Sequence, residues 1–476
     1  MPMFAWRGAE GATRDVLEVC GDRDCTHALV RRETTTARIT LDAPLEGLRA
    51  FWRVTSILPR GESRTGATWV VRIPPRAAAT PSARAFLDGA DVNGDGFADL
   101  IFSFGPNVLR GGVHFRDRRQ DPDVFASPPP DLACSPAPFA RAGVDESWGV
   151  RFHRPCAELG SAEYVGDVDG DGYGDLLVRA GDSWRLARGS AADVLAIGPS
   201  SLRASTGPGG IQAIGDVDGD GFADVAFTGA DRALYWGGPD GLIEDRKLLL
   251  GGVAVLAAAR IDGTSPDHLL GVRGDLPLDL SDPRSQLVDV DVAGRTDVHL
   301  GAALSIPPAM GASVTVVAGD FLGTGAACFL LGPFLMGPTT HLGWAGCTSP
   351  ESLPNAPFRA LVADGSLRLR LAATDANGDG IEDVYVSSSG ERGEVALLRG
   401  GSHPAWAGLR LGCPRDADSC GDVVPLGDVD GDGFGDAFFT WADTMTNDAH
   451  LTFLPGSAGK SELDPRLTWV LPRDGQ

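Results

Sequence analysis

A ten-residue segment of the chain, Gly166 to Asp175 with the sequence GDVDGDGYGD, recurs in close copies that begin near residues 91, 216, 375 and 428. Counted from its first aspartate, each copy has a carboxylate or an amide at positions 1, 3, 5 and 9 and a glycine at position 6. Alternating oxygen side chains in a short turn can face one hard cation, and the carbonyl of position 7 adds another oxygen. Glycine permits the sharp bend that such a turn needs. The repeat therefore predicts five calcium loops.

We call these segments acidic loops 1, 2, 3, 6 and 7, because two weaker copies lie between the third and the sixth. The residues predicted to bind calcium are Asp91, Asn93, Asp95, Phe97 and Asp99 in loop 1; Asp167, Asp169, Asp171, Tyr173 and Asp175 in loop 2; Asp216, Asp218, Asp220, Phe222 and Asp224 in loop 3; Asp375, Asn377, Asp379, Ile381 and Asp383 in loop 6; and Asp428, Asp430, Asp432, Phe434 and Asp436 in loop 7. Position 7 contributes its main-chain carbonyl. The alternative left open is that the loops are acidic surface turns that bind no metal.

The residues after position 9 distinguish these loops from an EF-hand, which carries a bidentate glutamate at position 12 and leads into a helix. Position 12 is instead apolar in every copy: Phe102, Val178, Phe227, Val386 and Phe439. The surrounding text, such as DLLVRA and DVAFTG, is short, β-branched or aromatic, which is typical of a strand. Each loop is therefore predicted to connect two strands.

The pattern DxDGDGxxD or DxNGDGxxD, followed by a strand, resembles the FG-GAP repeat of integrin α-subunits and of bacterial secreted proteins. The resemblance implies an all-β, seven-bladed β-propeller with calcium in five blades. Two degenerate copies, Ala259 to Leu270 and Gly319 to Leu331, raise the number of loop starts to seven, at residues 91, 167, 216, 260, 320, 375 and 428. Each unit reads as four short strands. Residues 82–476 are therefore predicted to form the propeller.

Residues 1–76 contain several strand-length segments separated by turn residues, and Trp6, Trp52 and Trp69 are their predicted core anchors. This pattern predicts a small β-sandwich. The texts FAWRGAEGATRDVLEV and LRAFWRVTSI resemble fibronectin-type-III-like modules. The Pro/Ala-rich text PPRAAATP follows, and residues 77–81 within it are the predicted linker.

The formal net charge is −23, and 18 aspartates stand in the five acidic loops, four in each of three loops and three in each of the other two. The acidity is thus mostly that of predicted metal ligands, and a nucleic-acid partner finds no basic stripe. No apolar run reaches the length of a membrane span, and this chain shows no export signal. Two of the 41 basic residues, Lys247 and Lys460, are lysines and no N-glycosylation sequon occurs. We interpret the chain as a secreted or cell-surface bacterial protein.

Eight cysteines fall into four sequence-adjacent couples: Cys20 and Cys25, Cys134 and Cys156, Cys328 and Cys347, and Cys413 and Cys420. Disulfides in an oxidising compartment explain them better than a zinc site does, although eight cysteines allow 105 pairings. Cys328 stands at position 9 of the degenerate fifth loop, which keeps Asp320 and Gly325 but has Leu322 and Thr324 at positions 3 and 5. We expect no calcium there, and a Cys328–Cys347 disulfide in its place; free thiols are the alternative.

Catalytic motifs are missing from the sequence: there is no GxSxG elbow, no HExxH helix and no phosphate-binding glycine loop. We therefore predict no catalytic residues and no cofactor besides about five Ca²⁺ ions. The favoured function is a protein- or glycan-binding adhesion module that uses the face opposite the metal loops, with help from a predicted insertion, Asp117 to Leu159. The alternative is a secreted polysaccharide lyase or hydrolase whose catalytic residues gather from several blades.

Overall fold

The computed structural model describes residues 3–72, 90–102, 107–112, 151–152, 161–203, 210–259, 268–273, 286–303, 315–345, 369–412, 417–457 and 467–471, with short gaps inside several of these ranges. Within them the strands form nine sheets, and the described helical structure is a single 3₁₀ turn, Glu244–Arg246. The chain is therefore all-β, as predicted. None of the described helical structure is long and apolar enough to cross a membrane.

The N-terminal part contains two sheets that share one core. Strands β1 (Met3–Ala5) and β4 (Arg38–Thr40) form the first sheet; β2 (Arg14–Cys20), β3 (Ala28–Thr34), β5 (Arg49–Ile57), β6 (Ser63–Thr65) and β7 (Trp69–Arg72) form the second, in the order β3-β2-β5-β6 with β7 also on β5. Phe4 of the first sheet and Leu17 of the second are buried together, and Trp6 and Trp52 pack against them. Two of the three predicted tryptophan anchors therefore line this core.

The remaining seven sheets follow one another along the chain. Their strands are β8 (Leu100–Phe102) and β9 (Asn107–Leu109); β10 (Arg151–Phe152), β11 (Ala162–Gly166), β12 (Asp175–Ala180), β13 (Ser183–Arg188) and β14 (Val194–Arg203); β15 (Ile211–Gly215), β16 (Asp224–Phe227), β17 (Ala233–Tyr235) and β18 (Lys247–Leu249); β19 (Val253–Ala259), β20 (His268–Arg273), β21 (Gln286–Asp291) and β22 (His299–Ala303); β23 (Thr315–Gly319), β24 (Cys328–Met336) and β25 (Thr339–Ala345); β26 (Leu369–Thr374), β27 (Asp383–Ser388), β28 (Glu394–Arg399) and β29 (Ala405–Gly412); and β30 (Ala417–Gly427), β31 (Asp436–Asp443), β32 (Ala449–Leu454) and β33 (Leu467–Leu471). These seven sheets are numbered 1 to 7 in that order.

Strands within these sheets pair antiparallel in chain order, so each sheet is a meander. Sheets 3, 4, 6 and 7 each show the four strands that the sequence predicts. Sheet 2 has one more, because β10 pairs parallel with β14 at its edge, Arg151 opposite Val194. Most of the predicted insertion, Asp117 to Leu159, lies outside the described residues, and its described part extends a sheet.

The core lies between consecutive sheets. One buried cluster joins Leu177 of sheet 2 to Val225 and Tyr235 of sheet 3, and similar clusters lie between sheets 1 and 2, 3 and 4, 5 and 6, and 6 and 7. The second strands of sheets 2, 3 and 6 therefore have both faces covered by these clusters, and all six residues of β27 are buried. Burial on both faces explains why the second strands read as continuous apolar runs rather than as an alternating pattern.

Candidate metal centres

The turn geometry of the acidic loops is set by their own carboxylates. In loop 2, Asp167 accepts the N–H of Asp171 on Oδ1 at 3.1 Å and the N–H of Gly172 on Oδ2 at 2.6 Å. The position-5 and position-6 amides bind the position-1 carboxylate in the same way in the other four loops. The position-6 glycines have φ between 82° and 95°, a region that other residues rarely adopt. The predicted strand-to-strand turns are therefore confirmed for loops 2, 3, 6 and 7; the residues before Ala90, which would show the strand that enters loop 1, lie outside the described part of the chain.

Three of the loops bring a cluster of carboxylates together. The aspartates at positions 1, 3 and 9 of loops 2, 3 and 7 place one oxygen each within 4.8 Å of one another: Asp167, Asp169 and Asp175; Asp216, Asp218 and Asp224; and Asp428, Asp430 and Asp436. Loops 1 and 6 have an asparagine at position 3, Asn93 and Asn377, so their donor set is mixed. The carboxylate clusters of loops 2, 3 and 7 could each hold a metal ion. Their donors are all oxygens, which suit a hard cation.

The other predicted ligands have less direct support. Position-5 carboxylates accept the N–H of position 7 on Oδ1, as Asp171 does from Tyr173 at 2.9 Å, and they stand outside the three clusters. The same bond occurs at Asp95, Asp220, Asp379 and Asp432. Coordination by position 5 and by the position-7 carbonyls of Phe97, Tyr173, Phe222, Ile381 and Phe434 therefore stays a prediction.

Position 9 is the most deeply embedded site. Asp175 is fully buried; it accepts the N–H of Val168 at 3.0 Å and the N–H of Gly189 at 2.9 Å on its two oxygens. Asp99, Asp224 and Asp436 accept the same pair of bonds, from position 2 of their own loop and from a glycine that follows the third strand of the sheet, or strand β9 in sheet 1. This carboxylate therefore ties the loop to the third strand of its sheet, besides facing the cluster.

Acidic loop 6 departs from this pattern at one atom. Asp383 Oδ1 accepts the N–H of Gly400 at 2.8 Å, but Asp383 Oδ2 is buried and has no hydrogen-bond partner. The N–H of Ala376, at position 2, donates to the carbonyl of Thr374 instead. A buried carboxylate oxygen without a donor is costly. A cation in loop 6 would satisfy it, so this orphaned oxygen fits the predicted metal.

The glycines that bind position 9 were not recognised as site residues from the sequence. They are Gly111, Gly189, Gly237, Gly400 and Gly456. A Cβ at Gly237 would lie 2.5 Å from the carbonyl oxygen of Ala223 and 3.0 Å from that of Val168 in the preceding loop. Glycine is needed where these three backbone segments meet. The available signal was the small-residue ending of the third strands, in RGS, GGPDG, RGG and PGS.

We predict that Gly237→Ala lowers the free energy of unfolding by about 1 to 3 kcal/mol, because the new methyl group must push two backbone carbonyls apart. Gly210→Ala is the matched control in the same sheet, since the nearest atom to its Cβ would be Thr228 Oγ1 at 3.7 Å. Urea denaturation of both variants measures the effect. Equal loss of stability in the two variants would contradict the close approach at Gly237.

Consecutive loops are joined by main-chain hydrogen bonds. The N–H of Gly174 in loop 2 donates to the carbonyl of Asp91 at 2.8 Å, and the N–H of Ser190, which follows β13 of the same sheet, donates to that of Val92 at 2.9 Å. Loop 3 bonds to loop 2, and loop 7 to loop 6, through the same two positions. The N–H of Gly401 in sheet 6 likewise donates to the carbonyl of Phe321 in the fifth loop.

The same bonds join the first loop to the last. The N–H of Ala98 donates to the carbonyl of Asp428 at 2.9 Å, and the N–H of Gly112 to that of Val429 at 2.7 Å. The two partners in each bond stand more than 300 residues apart in the sequence. Acidic loops 1 and 7 are therefore neighbours, although they stand near opposite ends of the seven-sheet region.

Burial, and then the neighbouring carboxylates, raise the pKa values of several loop carboxyls. Burial, and then the neighbouring Asp171 and Asp169 carboxylates, raise the pKa of Asp167 to about 7. Burial and the nearby Asp218 and Asp216 carboxylates raise the pKa of Asp224 to about 8. The pKa values of the other position-9 aspartates are also well above the usual value, chiefly because of burial. Arg188 supplies a countercharge to loop 2, since its Nε lies 3.1 Å from Asp169 Oδ2.

The degenerate fifth loop keeps the turn and the position-1 carboxylate, Asp320, but not the carboxylates of positions 3, 5 and 9. The N–H of Thr324 donates to Asp320 Oδ1 at 2.9 Å, as position 5 does elsewhere. The N–H of Asp320 donates to Oε2 of Glu382, a buried residue of loop 6, at 2.9 Å. A side chain from the next repeat therefore holds this loop. The predicted Cys328–Cys347 disulfide stays a prediction, because Cys347 lies outside the described residues.

Other expectations also fall outside the described part of the chain. Residues 260–267 of the fourth loop, and Cys134, Cys156 and Cys413, are not described. The predicted Cys20–Cys25 disulfide is confirmed.

Comparisons with known proteins leave the family open. No protein-family model and no curated protein matches the chain. Among solved structures, AofleA from Arthrobotrys oligospora has a TM-score of 0.35 at 9% identity over 66% of this chain and 90% of that one. A quinonprotein alcohol dehydrogenase-like protein from Bacteroides thetaiotaomicron has a TM-score of 0.30 at 10% identity, covering 85% and 89%. The Photorhabdus luminescens Tc holotoxin pore has a TM-score of 0.28 at 12% identity, covering 92% and 24%. Likenesses this weak carry no argument about fold or function.

Proposed function

We propose that residues 82–476 form a seven-bladed β-propeller of the FG-GAP type, preceded by a fibronectin-type-III-like β-sandwich. Seven consecutive meander sheets with shared cores support this architecture. So do the hydrogen bonds between acidic loops 1 and 7, because a closed ring brings its first and last repeats together. Each blade leaves apolar faces that its neighbours must cover, and ring closure covers all of them.

The ion we propose for acidic loops 1, 2, 3, 6 and 7 is calcium. Their side chains offer carboxylate and amide oxygens, which are the donors that a hard cation takes, and neither histidine nor cysteine. Buried carboxyls with raised pKa values need a countercharge to ionise at neutral pH. A divalent ion supplies that charge in each loop and satisfies the buried Asp383 Oδ2 in loop 6.

The ions in this proposal have a structural role, and the function is binding. The observation that carries it is the double use of position 9: Asp175, Asp224 and Asp436 face a carboxylate cluster and also tie their loop to the third strand. Metal held there fixes each loop on the third strand of its own sheet. We therefore propose a secreted or surface-attached bacterial protein that binds a protein or glycan on the face opposite the acidic loops, as a calcium-stabilised adhesion module.

Calcium titration by isothermal calorimetry checks the metal sites. We expect about five sites, because extracellular modules bind calcium with Kd near 10⁻⁴ to 10⁻³ M through such ligand sets. Asp171→Ala, at position 5 of loop 2, should remove one site and leave the others. Asp320→Ala, in the degenerate fifth loop, should leave the number of sites unchanged. Absence of calcium binding by the folded protein would contradict the proposal.

A binding screen checks the function. Glycan arrays and immobilised cell-surface proteins are probed with the full chain in calcium, and then with a form lacking residues 117–150. We expect at least one ligand to bind the full chain. Mild substitutions on the acidic-loop face should leave this binding unchanged, and removal of residues 117–150 should weaken it. Turnover of a polysaccharide by the pure protein would contradict a purely binding role and support the enzyme alternative.

A further inference from the structure

The tip of the β2–β3 hairpin is a small, closed structure. The Cys20–Cys25 disulfide spans it, and Asp22 accepts the N–H of Thr26 at 2.9 Å and the N–H of His27 at 3.0 Å. Cys25 has a φ of 55°, a left-handed conformation that is uncommon for a residue other than glycine. The tip is therefore held in one shape by a covalent bond and by side-chain hydrogen bonds, and Arg23 stands at its centre.

Arg23 reaches two acidic loops at once. Its Nη1 donates to the carbonyl oxygen of Gly94, at position 4 of loop 1, at 3.0 Å. Its Nη2 donates to the carbonyl oxygen of Gly172, at position 6 of loop 2. Its Cζ lies 3.9 Å from the centre of the Tyr173 ring, which is cation–π geometry. A guanidinium can make all three contacts because its planar fork presents several donors and a stacking face.

The contacts between other pairs of consecutive acidic loops show which side chain occupies the space that Arg23 fills between loops 1 and 2. At three of them, the position-7 side chain packs directly on the position-4 glycine of the preceding loop. Phe222 packs on Gly170, Phe97 on Gly431 and Ile381 on Gly323, and a Cβ on any of these glycines would lie within 2.6 Å of that side chain.

The joint between loops 1 and 2 differs. A Cβ at Gly94 would lie 2.3 Å from Arg23 Cζ, so the guanidinium occupies the space over this glycine. Tyr173, at position 7 of loop 2, stacks on the guanidinium. The joint therefore contains a layer that the three other joints lack.

We propose that Arg23 docks the N-terminal module onto the acidic-loop face as a wedge between loops 1 and 2, and that calcium in these loops strengthens the docking. A second contact supports the docked arrangement, because a Cβ at Gly172 would lie 2.4 Å from the carbonyl oxygen of Thr68, just before β7. The docking follows from the contacts themselves. The effect of calcium rests on the proposed function.

Calcium favours docking because it fixes the carbonyl oxygens of Gly94 and Gly172, which accept the hydrogen bonds of Arg23. Without the ion, the carboxylates of loop 2 repel one another, and the carbonyls that Arg23 binds are held less firmly. With the ion, loop 2 keeps a formal charge of about −2 and loop 1 of about −1 from their side chains, so the guanidinium is still attracted. By linkage, docking then raises the affinity of loops 1 and 2 for calcium by the same factor.

Two substitutions should each disrupt the contact between Arg23 and the acidic loops, and each has a matched control. Arg23→Ala removes the guanidinium, while Arg32→Ala removes an equal charge from an exposed position of the same module, where its partner is Asp42 at 3.7 Å. Gly172→Ala places a methyl group against Thr68 and Arg23. Gly221→Ala alters the same position of loop 3, where φ is also positive, at 95°, and nothing lies within 4 Å of the Cβ.

Small-angle scattering of the full chain measures docking as the radius of gyration, with CaCl₂ and with EGTA. We expect Arg23→Ala and Gly172→Ala to expand the protein in calcium, and their controls to match the wild type. At a temperature below the melting point of both proteins in chelator, EGTA should expand the wild type and leave Arg23→Ala unchanged. A compact Arg23→Ala protein in calcium would overturn the docking role, and a wild type unaffected by EGTA would overturn the calcium link. If calorimetry detects no calcium binding, the proposed function fails, and the expansion of Arg23→Ala still decides the docking.

Discussion

Removal of calcium with a chelator at pH 8 is expected to lower the melting temperature by on the order of 10 °C or more. At 10 mM calcium and a Kd of 10⁻⁴ to 10⁻³ M, each filled site adds about 1.4 to 2.7 kcal/mol. Five sites together supply on the order of 10 kcal/mol, which is comparable to the whole stability of an ordinary protein. Scanning calorimetry with and without chelator measures the difference. An unchanged melting temperature would contradict a structural role for the ions.

The size of this calcium effect should depend on pH. In the metal-free fold the pKa of Asp167 is raised from 3.8 to about 7 and that of Asp224 to about 8. Between pH 4 and pH 8 the folded state therefore holds protons that the unfolded state has lost. Stability falls as pH rises when the native state binds more protons. The metal-free protein should thus be more stable at pH 5 than at pH 8.

Calcium reverses this dependence, since it binds the deprotonated carboxylates and competes with protons at low pH. We expect the melting temperatures with calcium and with chelator to lie far apart at pH 8 and close together at pH 5. Calorimetry at the two pH values checks this. A difference that is equal at both would show that the loop carboxyls ionise normally in the metal-free protein.

Much of the architecture is local and could be read from the sequence. The turn of each acidic loop depends on bonds between residues two to five positions apart, such as those of Asp167. The second strands are apolar on both faces because sheets cover both, which gives texts like DLLV without alternation. The Cys20–Cys25 disulfide closes a tip of four residues, the shortest loop between neighbouring cysteines in the sequence. These features could be predicted because each depends on residues that are close together in the sequence.

What the sequence did not reveal depends on distant partners. The glycines that bind position 9 follow it by 12 residues in sheet 1 and by 20 in sheet 7, so no fixed spacing marks them. Arg23 is one arginine among many, and its partners Gly94 and Gly172 stand 71 and 149 residues away. Glu382 likewise acts on Asp320, 62 residues before it. Only the packing of whole sheets brings these groups together.

The position-9 aspartate has two proposed roles: it binds the metal, and it ties the loop to the third strand. Substitutions of Asp436 in the chelated protein are expected to separate the two. Asp436 is fully buried and accepts the N–H groups of Val429 and Gly456 at 3.0 and 2.8 Å. Alanine leaves both buried donors without a partner, and each loss costs about 1 to 3 kcal/mol. Asparagine also removes the carboxylate charge but keeps one acceptor. In chelator, Asp436→Asn should therefore be about 1 to 3 kcal/mol more stable than Asp436→Ala.

Asp432, at position 5 of the same loop, is the matched control. It is half-buried and accepts the N–H of Phe434 at 3.1 Å, where water can replace a lost acceptor. Asparagine and alanine at this position should differ by less than about 1 kcal/mol in chelator, although both remove a proposed calcium ligand. Urea denaturation of the four variants in chelator gives the two differences. If the asparagine-to-alanine difference at position 436 is no larger than at position 432, position 9 serves the metal alone, and the tie between loop and third strand contributes nothing of its own.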